Sequence, residues 1–367
     1  GEISRTSFTI AVAGTHGKTT TAAMLANILD AAGLDPSIAI GGYAGGEIQG
    51  RSSVGGYFVV EADEFDRSFL KIYPSAVVVT SIDAEHLDCY ENEAGIREAF
   101  VDFLGRLPFY GQAVLAGENV GVREVVSRLA VPFPLYGLNS ESRFHPRNIE
   151  QRTWGTDFDL FDARAKVLGI QLNVPGQHNL LNAVGAAAMA VLLGIEAQYV
   201  SAGLRRFSGL DRRFERKGEK RNVLVVDDYA HHPAEVGAAL ATARSLGRPR
   251  VTAVFQPHLY SRTRDFFREF GSVLALADLV FITDVYPARE APIPGITGAL
   301  IADDMRDNGF RAVQYESDAD CLAVRIAENC RENDLILTMG AGDIGDVANS
   351  ILAAIDKGAS GVEGEEN

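Results

Sequence analysis

Short apolar, β-branched runs alternate along this chain with longer Ala- and Leu-rich stretches of helical character. That is the pattern of parallel α/β architecture. In the first half, strands are expected at 8–13, 57–60, 76–80 and 113–116. A helix is expected from Lys18 through TTTAAMLANILDAAG, stopping at Gly33. Residues 139–175 differ: they are polar with short alternating segments such as AKVLGIQLNV, which predicts a small antiparallel annex. After Asn179, the run LLNAVGAAAMAVLLG predicts a helix whose small residues allow close packing. The helical pattern breaks at SGLDRRFE, around 208–213, and a second α/β unit follows. Its strands are expected at 223–226, 251–255, 279–283 and 335–339. The last stretch, KGASGVEGEEN, is Gly/Glu-rich without apolar period and predicts disorder. The division is therefore a central α/β domain over 1–209, a C-terminal Rossmann-like α/β domain over 210–356 and a tail over 357–367.

Length and composition narrow the function. The 367 residues suffice for two or three domains with full cores, and no apolar run approaches the ~18 residues of a membrane span. The opening GEISRTSFTIAVAG lacks the basic start and cleavage site of a signal peptide. A net charge of −15 argues against a general nucleic-acid binder but leaves room for a small anionic substrate at a few placed cations. The three cysteines, Cys89, Cys321 and Cys330, form no CxxC pair and give neither a disulfide framework nor a zinc site. A cytoplasmic protein is expected.

The most informative segment is Gly14-Thr15-His16-Gly17-Lys18-Thr19-Thr20, between an apolar strand and a helix. Glycines there let backbone N–H groups wrap a phosphate, and the helix N-terminus adds partial positive charge. Lys18 can reach β/γ-phosphates and the Thr19 hydroxyl can ligate Mg²⁺. Val12 stands where the usual phosphate-loop pattern has its first glycine. The run Val59-Val60-Glu61-Ala62-Asp63-Glu64 sends a buried strand into carboxylates. Ligands of open α/β sheets sit beyond the carboxyl ends of strands, so Glu61 lies on the phosphate-loop edge. Glu64 and Asp66 suit an acidic surface loop. A third strand, SAVVVTSID, carries Glu85-His86-Leu87-Asp88 to the same edge, which makes His86 a further candidate.

In the second unit, Asp227-Asp228-Tyr229-Ala230-His231-His232-Pro233 follows NVLVV, and Phe255-Gln256-Pro257-His258-Leu259-Tyr260-Ser261-Arg262-Thr263 follows VTAVF. Both look like binding edges, and Arg262 could clamp a carboxylate bidentately. Polar loops capping the next helices are the alternative. Gly340-Ala341-Gly342-Asp343-Ile344-Gly345 is a literal GxGxxG, yet only a helix and a tail follow it. It reads as a tight strand-to-helix turn rather than a dinucleotide site.

Together GTHGKTT, EADE, the His86 loop, GQHNLLNA and DRRFE resemble the Mur ligase family, in family order, from the first strand to about residue 356. DDYAHHPAE followed by FQPHLYSRT resembles the branch that joins L-alanine to UDP-N-acetylmuramate in peptidoglycan synthesis. Leu259 replaces an arginine of the family form QPHRYTRT, while Arg262 keeps the other. The resemblance implies a P-loop ATPase domain with a parallel sheet. It implies Lys18 on the phosphates, Thr19 and Glu61 on one Mg²⁺, and His86 on a second. It implies Asn179 at the adenine, Arg213 near the γ-phosphate, Asp228 at the ribose and Tyr229 beside the base of ATP. His231 and Arg262 would face the amino acid and the substrate carboxylate.

The chemistry implied is amide formation through an acyl phosphate, with closure of the second unit onto the first. Two features depart from the resemblance. A UDP-binding domain is expected ahead of the first strand, and the chain is expected to lack it and to hold the sugar nucleotide poorly. Several Mur ligases also hold a metal through a carbamylated lysine, but no lysine occurs between Lys71 and Lys166. Competing readings are a recycling ligase adding a murein tripeptide to the same sugar nucleotide, a folate polyglutamate ligase, and a nucleotide-binding module without turnover.

Overall fold

The computed structural model describes residues 1–44, 47–83, 90 and 92–357. It separates into two compact units, Gly1–Leu210 and a second that begins at Asp211.

In the first unit the chain runs β1 (Phe8–Ala13), α1 (Lys18–Ala31), β2 (Ser37–Ala44), β3 (Glu47–Arg51), β4 (Tyr57–Ala62) and β5 (Ala76–Val79). It continues through α2 (Glu93–Leu104), β6 (Gln112–Ala116), α3 (Val120–Val126), β7 (Leu135–Tyr136) and β8 (Phe144–Arg152). Then come β9 (Gly155–Asp162), β10 (Ala165–Leu172), α4 (Gln177–Leu192) and α5 (Ala197–Arg206). Among the described residues the strands form one sheet in the order β10-β9-β8-β7-β6-β5-β1-β4-β2-β3. The middle strands are continuously apolar because both faces are covered. Ile10, Val12 and Val78 pack with α1, α4 and α5, while Ala11, Ala13, Val77 and Val79 pack with α2 and α3.

The parallel sheet expected of the first unit is present, with antiparallel additions at its margins. The sheet is parallel only in its middle, since β2–β3, β8–β9 and β9–β10 pair antiparallel. The segment 139–175 forms the antiparallel strands expected, and β7 joins it to the main sheet through Tyr136 opposite Phe144. Its inward residues Leu160, Leu168, Ile170 and Leu172 complete the core shared with Ile10 and Val12. Alternation marked these strands as half-buried, but not which core their apolar face would join.

The second unit runs β11 (Glu215–Lys220), β12 (Val223–Asp228), α6 (Pro233–Ser245), β13 (Val251–Phe255), α7 (Tyr260–Leu274) and β14 (Leu279–Ile282). It ends with α8 (Ala299–Asp307), β15 (Val313–Tyr315), α9 (Ala319–Asn329), β16 (Leu335–Met339) and α10 (Ile344–Lys357). The strand order is β11-β12-β16-β13-β14-β15. Among the described strands of this unit, only β11 is antiparallel to its neighbour, and its sequence ERKGEK carries no apolar signal that would announce a strand. Helix α10 buries Ile344, Val347, Ala348, Ile351 and Ile355 and takes in Lys357, the first residue assigned to the tail. Residues 358–367 lie outside those described.

Candidate active site

In the first unit, Val12 stands opposite Glu61 and Ala13 opposite Val79, so β1, β4 and β5 deliver their following loops to one edge. The loop after β1 needs glycine twice. Gly14 adopts φ +133°, and a Cβ there would lie 2.3 Å from Thr80 Oγ1 and 2.6 Å from the Ser81 carbonyl oxygen. Gly17, at φ +79°, is the N-cap of α1, and a Cβ there would meet Asn182 Oδ1 at 2.5 Å. Side-chain residues cannot take these positions without strain. The β5 loop fixes the backbone between them. Thr15 N donates to Ser81 O at 2.9 Å and His16 N to Ser81 Oγ at 3.0 Å. Asp83 N in turn donates to Thr15 Oγ1 at 2.8 Å, and Asn119 Nδ2 donates to Asp83 Oδ1 at 2.9 Å. His16 Nε2 lies 3.8 Å from Asp83 Oδ2.

Two polar pairs face this loop. Thr19 Oγ1 donates to Glu61 Oε1 at 2.9 Å, and Gly41 N donates to Glu61 Oε2 at 2.8 Å. Glu61 is thus inside β4 and held on both oxygens. Lys18 Nζ donates to Glu64 at 2.9 and 3.2 Å, lies 3.3 Å from the Thr15 carbonyl oxygen and 3.7 Å from Asp63 Oδ1. Glu64 is only 2% exposed, and its backbone oxygen accepts a 2.6 Å bond from the buried Tyr90 hydroxyl. It is therefore no surface-loop acid but the counter-ion of Lys18. Asp66 stays exposed and takes φ +51° in a tight turn. Thr20 is buried within α1, and Asn179, also buried, donates through Nδ2 to Pro175 O at 2.7 Å. His86 lies outside the described residues. A hydroxyl and a carboxylate oxygen side by side suit a hard cation such as Mg²⁺. Among the described residues there is no group of three or more His, Cys, Asp or Glu that could hold a metal ion.

The second unit has its own edge, where β12 and β13 end. Asp228 closes β12 and is buried. Its two oxygens accept bonds from Phe214 N and Ala230 N, each at 2.7 Å. Burial pushes its carboxyl up to about 7, against the opposing pull of the Arg213 charge and these two bonds. A ribose contact would have to use the remaining lone pairs. The Arg212 and Arg213 guanidinium carbons lie 5.2 and 5.3 Å from the Tyr229 ring centre. His231 Nδ1 sits 2.9 Å from Tyr229 O, and burial lowers the pKa of its ring. The His258 ring lies 5.6 Å from that of His231 and stacks on Tyr286 at 5.9 Å. Burial first, then the His231 and Arg262 charges, push His258 down to about 4. Arg262 Nη1 is 3.5 Å from His258 Nδ1.

The fold thus brings Tyr229, His231, His258 and Arg262 together. It also makes both loops helix caps. Glu235 accepts from His231 N at 3.1 Å and His232 N at 3.3 Å, with Pro233 at the first position of α6. At α7 the cap position falls to Leu259, at φ +70°, which has no side-chain acceptor. Glu290 supplies one from another loop: its carboxylate accepts from Ser261 N at 2.9 Å and from the Ser261 hydroxyl. Burial would raise its pKa, but these Ser261 bonds hold it below the ordinary carboxylate value. The GxGxxG segment is indeed a turn. Arg212 donates to Gly340 O at 2.6 Å, to Gly342 O at 2.7 Å and to the buried Asp227 at 2.9 Å. Sequence reasoning missed Glu64 and Glu290. Glu64 stands in an acidic stretch and Glu290 in a proline-rich loop, and only tertiary packing marks them out.

Comparison with known proteins follows the same division. The Mur ligase middle domain matches residues 12–190, and the Mur ligase glutamate ligase domain matches residues 212–342. The chain is similar to the UDP-N-acetylmuramate–L-alanine ligase of Geobacter sp. (strain M21), with 41% identity over 96% of this chain and 77% of that protein. It is similar to the same enzyme of Solidesulfovibrio magneticus, with 42% identity over 98% of this chain and 78% of that protein. Among solved structures, the UDP-N-acetylmuramate–alanine ligase of Thermotoga maritima superposes with a TM-score of 0.80 at 26% identity, covering 97% and 77% of the two chains.

Proposed function

Since the chain belongs to the Mur ligase family, we propose that it joins L-alanine to the carboxylate of UDP-N-acetylmuramate, using ATP, in the cytoplasmic stage of peptidoglycan synthesis. The observation that carries this reading is the first unit's edge, where Lys18, Thr19 and Glu61 converge on a glycine loop at a helix N-terminus. Similarity to L-alanine ligases at about 40% identity supports the substrates.

A carboxylate is a poor acylating agent, so its oxygen first takes the γ-phosphoryl group of ATP, giving an acyl phosphate and ADP. The amine of L-alanine then attacks that carbonyl and phosphate leaves. Bringing a carboxylate against a triphosphate is a repulsion problem that cations relieve. Lys18 is the first unit's candidate for such a cation, and Arg213 the second unit's. Thr19 and Glu61 would hold Mg²⁺, which when bound neutralises phosphate charge; His86 is the candidate for a second ion. Tyr229 and Asp228 would line the nucleoside, Asn179 the adenine. On the amine side, the depressed pKa of His231 keeps its imidazole neutral at pH 7, so it can accept the proton that the attacking ammonium must lose. Arg262 would bind the alanine or muramate carboxylate.

The test is phosphate release from ATP with UDP-N-acetylmuramate present, across L-alanine, glycine, L-serine and a murein tripeptide. Release that depends on both the sugar nucleotide and L-alanine is expected. Preference for the tripeptide would replace this reading with the recycling ligase.

A further inference from the structure

The Lys18–Glu64 pair is a feature that phosphate binding does not require. Lysine offers three N–H donors, and here the acceptors within reach are the two Glu64 oxygens and the Thr15 carbonyl. A phosphate can gain Lys18 only by displacing one of them. Glu64 cannot swing away easily. It is almost wholly buried, and its backbone is pinned through Tyr90 against the core that holds Phe69, Phe100 and Phe103. Asp63 adds a second carboxylate 3.7 Å from Nζ. Any anion that reaches Lys18 therefore arrives beside fixed negative charge, in surroundings that screen it poorly.

We propose that Glu64 is a built-in competitor for the phosphate-loop lysine: a positioning residue that keeps Lys18 extended along the loop and weakens nucleotide binding, so that ADP is released. The proposal rests on the ligase reading for its ligand. Nucleotide and carboxylate compete for one ammonium group, and the protein's own anion sets the terms of exchange.

Calorimetric titration of the whole chain with Mg-ADP and Mg-ATP tests this. Glu64→Gln keeps the side chain's shape and an acceptor for Lys18 but removes the charge. It is expected to bind ADP at least about ten-fold more tightly than wild type, because a close like charge is lost. In turnover, kcat and the KM for ATP should fall together as release slows. Glu64→Asp keeps the charge and is expected to bind ADP within about two-fold of wild type. Equal or weaker ADP binding by Glu64→Gln overturns the proposal, for then the pair serves to present Lys18 to the phosphates. Equal tightening in Glu64→Asp overturns it too, because loosened packing rather than charge would be the cause. If Glu64→Gln does not fold, Glu64→Ala takes its place under the same expectation, and ADP binding by it no tighter than wild type overturns the proposal. A wild-type chain that binds neither nucleotide would sink the ligase reading itself, a result separable from these.

Discussion

The two edges hold their charged groups differently. At the first, each reactive group has its own carboxylate: Lys18 has Glu64 and Thr19 has Glu61. At the second, two guanidinium groups flank Tyr229, and two imidazoles lie close together beside Arg262, with burial as the main force that holds their pKa values down. Phosphate binding calls for cations that are held ready but can be released to an anion. On the proposed reading, amine chemistry calls for a base that is not already protonated, and burial lowers the His231 pKa against the upward pull of Glu235. The two proposed tasks account for the different arrangements.

The sharpest way to break this comparison is Lys18→Ala, which should cut ligation on the order of a thousand-fold or more, because the first edge offers no second lysine at the loop. Assay of phosphate release by a folded variant decides it, and a rate near wild type would remove Lys18 from the chemistry. Glu61→Ala comes next. Its expected effect is a rise on the order of ten- to a hundred-fold in the Mg²⁺ needed for half-maximal rate. A Mg²⁺ titration showing no shift would leave Glu61 as a mere anchor for Gly41.

At the second edge, Glu290→Ala removes the surrogate cap of α7 and lets the turn carrying Arg262 fray. Loss of a cap costs about 1 kcal/mol, so the KM for the substrate that Arg262 binds should rise roughly five- to ten-fold. Thermal unfolding should come only a few degrees earlier, as a loss of about 1 kcal/mol implies, and Glu290→Gln should restore part of the KM. An unchanged KM would confine Glu290 to folding. The smallest effect is on acid stability. His258 titrates from an ordinary 6.5 down to about 4 in the folded protein. Its contribution is therefore present above pH 6.5 and lost as pH falls toward 4, because the unfolded chain takes up the proton first. His258→Asn should abolish that loss, so the stability gap between wild type and variant shrinks by up to one proton's slope across this window. Denaturant unfolding at several pH values would show it, and a gap constant with pH would contradict the cause assigned.

What could be read in advance follows the same contrast. The phosphate loop is contiguous, and a strand, two glycines and a helix start dictate its geometry locally, so Lys18 and Thr19 were legible from residue order alone. Glu61 was legible because β4 is apolar up to it. Glu64 was not. Its burial depends on a turn in which Asp66 and Arg67 take φ +51° and +58°, conformations their side chains do not advertise. At the second edge the motif residues were visible, but their supports come from far along the chain: Glu290 for Ser261, and Gly340 and Gly342 for Arg212. Strand pairing at the margins was likewise hidden, because β11 is polar and β7 is two residues long.

The order of strands in the second unit bears on how the protein is made. Strand β16, later in the chain than the other described strands, lies between β12 and β13, and Arg212 near the start of the unit closes onto Gly340 and Gly342. The sheet cannot be assembled in the order of synthesis: β12 must wait, with one edge unpaired, for more than a hundred residues before its neighbour Leu335–Met339 exists. The first unit has no such delay at its phosphate loop, whose flanking strands β4 and β5 both follow β1 within 80 residues. A nascent chain stalled before Leu335 would therefore carry a finished first unit and an open second sheet, a species that chaperones and proteases recognise by its exposed strand edges.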